Sequence, residues 1–127
     1  MRTGPVITVL IPLPVEYNPD KYGRRKPVED AKFERTANEV ATHFQGGGAI
    51  WKSRRGETMT GYWWNKGVVD LDTNALLELD MHDTKENRQW ILRYAEKVLL
   101  KRFEQEAIYV RFVSGTESYL IRRVAST

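Results

Sequence analysis

The most constraining stretch of the chain is Val6 to Leu13, which is apolar on both of its alternating faces: Ile7, Val9 and Ile11 on one, Val6 and Leu10 on the other. A strand apolar on both sides is ordinarily central in its sheet and covered on both faces. The sequence therefore predicts a sheet with this strand inside it, and calls for two separate covers. Pro12 and Pro14 are expected to end the strand, because neither can donate to a ladder.

Two helices supply one cover. Pro27-Val28-Glu29-Asp30 opens the first, with acids in its first turn, and Phe33, Ala37, Val40, Ala41 and Phe44 recur at spacings of three and four. Gly46-Gly47-Gly48 is expected to cap and stop it. The second helix starts at Thr84, with Asp83 the rival cap, and buries Trp90, Ile91, Tyr94, Ala95, Val98, Leu99 and Phe103. Between the first strand and the first helix, Val15 to Val28 reads as a loop, marked by Asn18-Pro19-Asp20 and Gly23. Its Lys21, Arg24, Arg25 and Lys26 stand beside Tyr17 and Tyr22, as in either an arm that binds phosphate or a plain solvated loop.

The segment between the helices is strand-like. Ala49 to Arg54 and Thr58 to Trp64 read as strands joined by the turn Arg55-Gly56-Glu57; Asn65-Lys66-Gly67 then turns into Val68-Val69-Asp70-Leu71. Asp72-Thr73-Asn74 is expected to turn the chain again into Leu77 to His82, leaving open two long strands or a four-strand meander. Ala107 to Val113 reads as a strand, with Glu106 sharing the inward face of Ile108 and Val110; Ser118 to Val124 would return as a hairpin. Strand, helix, strands, helix, strand is the order of a split βαβ. The predicted fold is thus α+β and ferredoxin-like, with two helices on one face of an antiparallel sheet, an extended middle hairpin and an extra C-terminal hairpin. A second copy of the chain is the simplest cover for the other sheet face, which predicts a homodimer.

At 127 residues, 1–127 is expected to be one domain, long enough to bury its own core. No apolar run reaches the roughly 20 residues of a membrane span, and Met1 to Leu13 lacks the cleavage site of a signal peptide, so no membrane partner is expected. The chain has no cysteine, which removes disulfides and thiolate chemistry and fits a cytoplasmic address. Net charge +3 and a pI of about 9.2 fit contact with nucleic acid without requiring it.

His43-Phe44-Gln45-Gly46-Gly47, Gly61-Tyr62-Trp63 and Gln105-Glu106-Ala107-Ile108-Tyr109-Val110 occur in that order. In this the chain resembles small uncharacterised bacterial and phage proteins of ferredoxin-like type, which carry a Phe-x-Gly-Gly, a Gly-x-Trp and a Gln-Glu-x-Val-x-Val. The resemblance spans roughly residues 30 to 113. It implies the fold and no activity.

Two constellations could carry function. Lys52, Arg54, Arg55, Tyr62, Trp63, Trp64, Lys66, Tyr109 and Arg111 interleave aromatic and basic side chains, which can stack bases and neutralise phosphates. Trp63 and Trp64 are adjacent, so on a strand only one of them faces the core. Glu78, Asp80 and His82 alternate on one face and could hold a hard divalent ion, with Asp70 or Asp72 added. Lys52 and Arg54 could equally pair with Glu78 and Asp80 across strands. His82-Asp83-Thr84 matches half of a two-histidine phosphoesterase motif, but His43 is followed by Phe-Gln, so the second half is missing. The sequence thus predicts an interaction module, dimeric, binding a nucleotide or nucleic acid through the aromatic-basic hairpin region, with no cofactor. The alternatives are a protein–protein regulatory or assembly module, and a metal-dependent phosphodiesterase or nuclease using the acidic strand. Whether the protein is an enzyme stays open.

Overall fold

The computed structural model describes residues 6–44, 48–51, 59–65, 68–115, 119, 121 and 123, with backbone alone at 48–51, 59–65 and 68–74. The element order is β1 (Val6–Pro14), α1 (Asp30–Phe44), β2 (Gly48–Trp51), β3 (Met59–Asn65), β4 (Val68–His82), α2 (Lys85–Tyr94) and β5 (Arg111–Ser114). The sheet runs β2-β4-β1-β5, with β3 also on β4, and every pairing is antiparallel. Because β4 lies between them, β1 and β2 run parallel, joined by α1. This is the split βαβ of a ferredoxin-like α+β fold.

β1 is the inner strand, as its two apolar faces require. Ile7, Val9, Ile11 and Leu13 are completely buried beneath the helices, together with Ala75, Leu77, Leu79 and Met81 of β4. Pro12 and Pro14 do not end it. They pair with Leu76 and Asn74 on the β4 side, while pairing with β5 stops at Leu10. Among the described residues nothing pairs with the outer edge of β1 beyond Leu10, so a missing N–H there is tolerated.

Among the described residues the middle forms three strands, β2, β3 and β4. β4 is 15 residues, its first half paired with β3 and its second with β1 and β2. Residues 72–74, expected as a turn, lie inside β4 and pair with β3. The turns at residues 55–57 and 65–67 and the glycine cap at 46–48 lie wholly or mainly outside the described residues.

In α1 the buried positions are Phe33, Thr36 and Val40, while Ala41 is exposed. Thr36 is tolerated in the core because its hydroxyl donates to Lys32 O at 2.8 Å and accepts from Arg102 at 2.8 Å. In α2 the cap is Thr84, whose hydroxyl accepts from Asn87 N at 3.1 Å. The rival Asp83 instead holds Arg88 through two hydrogen bonds of 2.6 and 3.1 Å, which keep its carboxyl below the ordinary range.

α2 continues through a π-helical turn, Ala95–Leu99, into a last turn, Leu100–Arg102. Glu104 closes the helix at φ 52°, with Gln105 N donating to Leu100 O at 2.8 Å and Glu104 N to Lys101 O at 3.2 Å. These bonds form a Schellman cap with glutamate where glycine is usual. The chain then runs without a strand until Arg111. Ile108, Val110 and Phe112 pack against the core as expected, and Glu106 is exposed instead of pointing inward. Of the expected return hairpin, Tyr119, Ile121 and Arg123 are exposed and lie outside any strand; the rest falls outside the described residues.

Candidate functional site

The sheet face away from the helices is built in rows by the pairing register. Leu10 lies opposite Glu78 on one side and Arg111 on the other, so Glu78, Leu10 and Arg111 form one row across three strands. Asp80, Thr8 and Val113 form the next, and His82 and Val6 the one after. Successive rows are about 6.5 to 7 Å apart along the strands, and neighbours within a row about 5 Å. Val6, Leu10, Pro12 and Leu76 bring apolar side chains to this face and are only half-buried, in contrast to their fully buried neighbours on the helix side.

Charge is distributed asymmetrically across it. Glu78 and Asp80 lie on the β4 side and Arg111 on the β5 side, with β1 between them. Thr8 is buried, and its hydroxyl donates to Asp80 Oδ1 at 2.6 Å. Asp80 is therefore tied to its cross-strand neighbour in a short charge-assisted hydrogen bond. His82 is exposed, and its carbonyl accepts from the Asn87 side chain at 2.9 Å. Among the described residues no three histidine or carboxylate side chains come together as a metal site. Glu78, Asp80 and His82 share a face, as expected, but are spread along the strand.

Of the aromatic-basic set, Tyr109 and Arg111 are both exposed, and the Arg111 guanidinium sits 5.5 Å from the Tyr109 ring centroid, within cation–π range. Tyr62, Trp63 and Trp64 lie on β3, their backbones opposite Leu71, Asp70 and Val69. Lys52, Arg54, Arg55 and Lys66 lie outside the described residues. The register of β2 puts Ala49 opposite Glu78, so Glu78 has Ala49 and Leu10 as its strand neighbours, and Asp80 has Thr8.

A second cluster escaped the sequence reading. Arg102, with 9% of its side chain exposed, donates to Glu39 Oε1 at 2.7 Å, to Thr36 at 2.8 Å and to the Tyr94 hydroxyl at 3.2 Å. Tyr94 in turn donates to Glu39 Oε1 at 2.8 Å. Burial pushes the Tyr94 hydroxyl up to about 12, and its hydrogen bond to the Glu39 carboxylate adds to the shift. Burial also pushes Glu39 upward, but hydrogen bonds from Arg102 and Tyr94 and the nearby guanidinium charge outweigh it, leaving the carboxyl below its ordinary value. Tyr94 and Arg102 are eight positions apart, about 80° around a regular helix. The π turn takes up one extra residue and brings them onto one side. Next to this network the His43 ring lies flat on Trp90 at 3.9 Å, and Trp90 stacks on Tyr94 at 4.8 Å. His43 lies in the last turn of α1.

No family model matches the sequence, and no curated protein matches it. What the fold defines is a small α+β module of ferredoxin-like type. Among solved structures the chain is similar to CutA1 from Oryza sativa, with a TM-score of 0.58 and 14% identity over 92% of this chain and 85% of that one. At that identity the likeness concerns the fold. No helix among the described residues is long and apolar enough to cross a membrane.

Proposed function

We propose that this chain is a self-associating interaction module whose sheet face away from the helices is the contact between two copies. The observation that carries it is the row Glu78–Leu10–Arg111. A twofold axis lying along β1, between two sheets packed face to face, exchanges the β4 side of one copy for the β5 side of the other. It keeps each row at its own level, so Glu78 of one copy meets Arg111 of the second. Such a contact is self-complementary, as a closed dimer requires. Val6, Leu10, Pro12 and Leu76 supply the apolar centre between these charges.

The test is a charge swap read by sedimentation. Wild type is expected to sediment as a dimer, Arg111→Glu as a monomer, and Glu78→Arg/Arg111→Glu as a dimer again. A monomeric wild type at every concentration refutes the proposal, as does a double variant no better associated than the single one.

A finer reading is that the module binds a nucleotide or nucleic acid through Lys52, Arg54, Arg55, Tyr62, Trp63, Trp64, Tyr109 and Arg111. Its support is the exposed Tyr109–Arg111 pair, which offers a ring and a guanidinium together. Against it, Glu78 and Asp80 lie on the same face and repel phosphate. Self-contact uses both signs of charge, which is why it is preferred. Fluorescence quenching by mononucleotides that Tyr109→Ala abolishes would favour the finer reading.

A further inference from the structure

The segment between β1 and α1 is a hairpin with a fixed shape. Tyr17 N donates to Lys26 O and Val28 N to Val15 O, each at 2.9 Å, with a bridge between Glu16 and Pro27. At the tip Asp20 and Arg24 close a three-residue loop: Gly23 N donates to Asp20 O and Asp20 N to Arg24 O, both at 2.9 Å, with Gly23 at φ 77°. This is a type I turn followed by a left-handed glycine, a standard hairpin closure. The Asp20 carboxylate is spent on that closure, accepting from Tyr22 N at 2.8 Å and Arg24 N at 2.9 Å. The base is tied to α1, because the Tyr17 hydroxyl donates to Glu29 and the Lys32 ammonium lies 4.7 Å from the Tyr17 ring centroid.

Residues 15–28 contain Lys21, Arg24, Arg25 and Lys26 against Glu16 and Asp20, a net +2 of the chain's +3. All four cations are exposed. Tyr22 is 73% exposed at the tip, with Lys21 Nζ 5.1 Å from its ring centroid.

We infer that this hairpin is a docking element for single-stranded nucleic acid, with Tyr22 as a stacking platform and Lys21, Arg24, Arg25 and Lys26 on the phosphates. A flat exposed ring among cations suits a strand whose bases are unpaired. An anionic membrane would use the same charges, but residues 17–27 contain no aliphatic or tryptophan side chain to insert. Because the hairpin is already ordered, binding loses little conformational freedom. The inference does not rest on self-association, since it concerns a different element of the fold.

The experiment is fluorescence anisotropy of a labelled single-stranded oligothymidine with the full chain. For four phosphate contacts the slope of log affinity against log salt is about −2.8, roughly a 50-fold loss between 50 and 200 mM salt. The variant Lys21→Gln/Arg24→Gln/Arg25→Gln/Lys26→Gln is expected to lose binding and most of that slope. Tyr22→Ala should weaken binding by about fivefold or more with the slope unchanged. Lys97→Gln/Lys101→Gln, on the second helix, should change neither. Absence of wild-type binding at low salt overturns the inference. So does equal loss in the Lys97/Lys101 control, or tighter hairpin-dependent binding to phosphatidylserine vesicles than to the oligonucleotide. None of these outcomes touches the dimer, which the charge swap tests separately.

Discussion

Replacing Arg102 with methionine tests whether the α1–α2 contact is held by its polar network. Methionine keeps much of the stem's packing and removes the guanidinium, and with it the hydrogen bonds to Glu39, Thr36 and Tyr94. Removing one partner of a fully buried ion pair costs about 3 to 5 kcal/mol. Here the loss is smaller, because the Glu39 side chain is 37% exposed and keeps water and the Tyr94 hydroxyl, while Thr36 keeps its bond to Lys32 O. About 2 kcal/mol follows, a sizeable share of the roughly 5 to 15 kcal/mol that stabilises a domain. With an m-value of about 2 kcal/mol/M, the urea midpoint should fall by about 1 M at unchanged slope. A pH leg isolates the carboxylate. Glu39 has a folded pKa below its unfolded value, so its contribution is present above about pH 4.5 and is lost as pH falls through the folded value. That acid dependence should shrink in Arg102→Met. A midpoint shift under about 0.3 M, or an unchanged acid limb, would show that packing alone holds the contact.

Two further outcomes follow from local geometry. Glu104 occupies the left-handed cap position at φ 52°, so Glu104→Gly should stabilise the protein by about 0.5 to 1 kcal/mol in urea unfolding, despite losing a 3.9 Å contact with Lys32; destabilisation would refute the strain argument. Tyr94 is held neutral up to about 12, a pKa raised on folding, so its contribution is intact below about pH 10 and is lost as pH climbs towards 12. Ultraviolet titration should show a tyrosine ionising near 12 that Tyr94→Phe removes; loss of an earlier-titrating tyrosine instead would refute the assignment.

What was legible in the sequence was what periodicity encodes. β1 and the apolar side of α2 stand where their repeats put them, because burial rewards those repeats directly. The misreadings share a cause, which is that the deciding partner is remote in sequence. Pro12 and Pro14 end a strand only if both edges are paired, and among the described residues one edge of β1 has no partner there. Thr36 is polar, and it is buried with Arg102, 66 residues away, supplying a donor to its hydroxyl. The π turn at Ala95–Leu99 has no residue signature, so the face bearing Arg102 was out of reach.

The candidate sites divide on the same line. Alternation placed Glu78, Asp80 and His82 on one face, and alternation is blind to which residues lie opposite. Register supplies that second coordinate. It sets Glu78 level with Arg111 through Leu10, and ties Asp80 to Thr8, turning three acids-and-imidazole candidates for a metal into one charged row and one hydrogen bond. In the hairpin the missing coordinate was the turn. Asp20 and Gly23 mark a loop in the sequence; in the structure they close a hairpin in which the Asp20 carboxylate accepts from two backbone amides. Composition had supplied the charge; only the backbone hydrogen bonds show it to be concentrated on a preformed surface. That is why most of the net charge of this chain points to one fourteen-residue element instead of to the molecule as a whole.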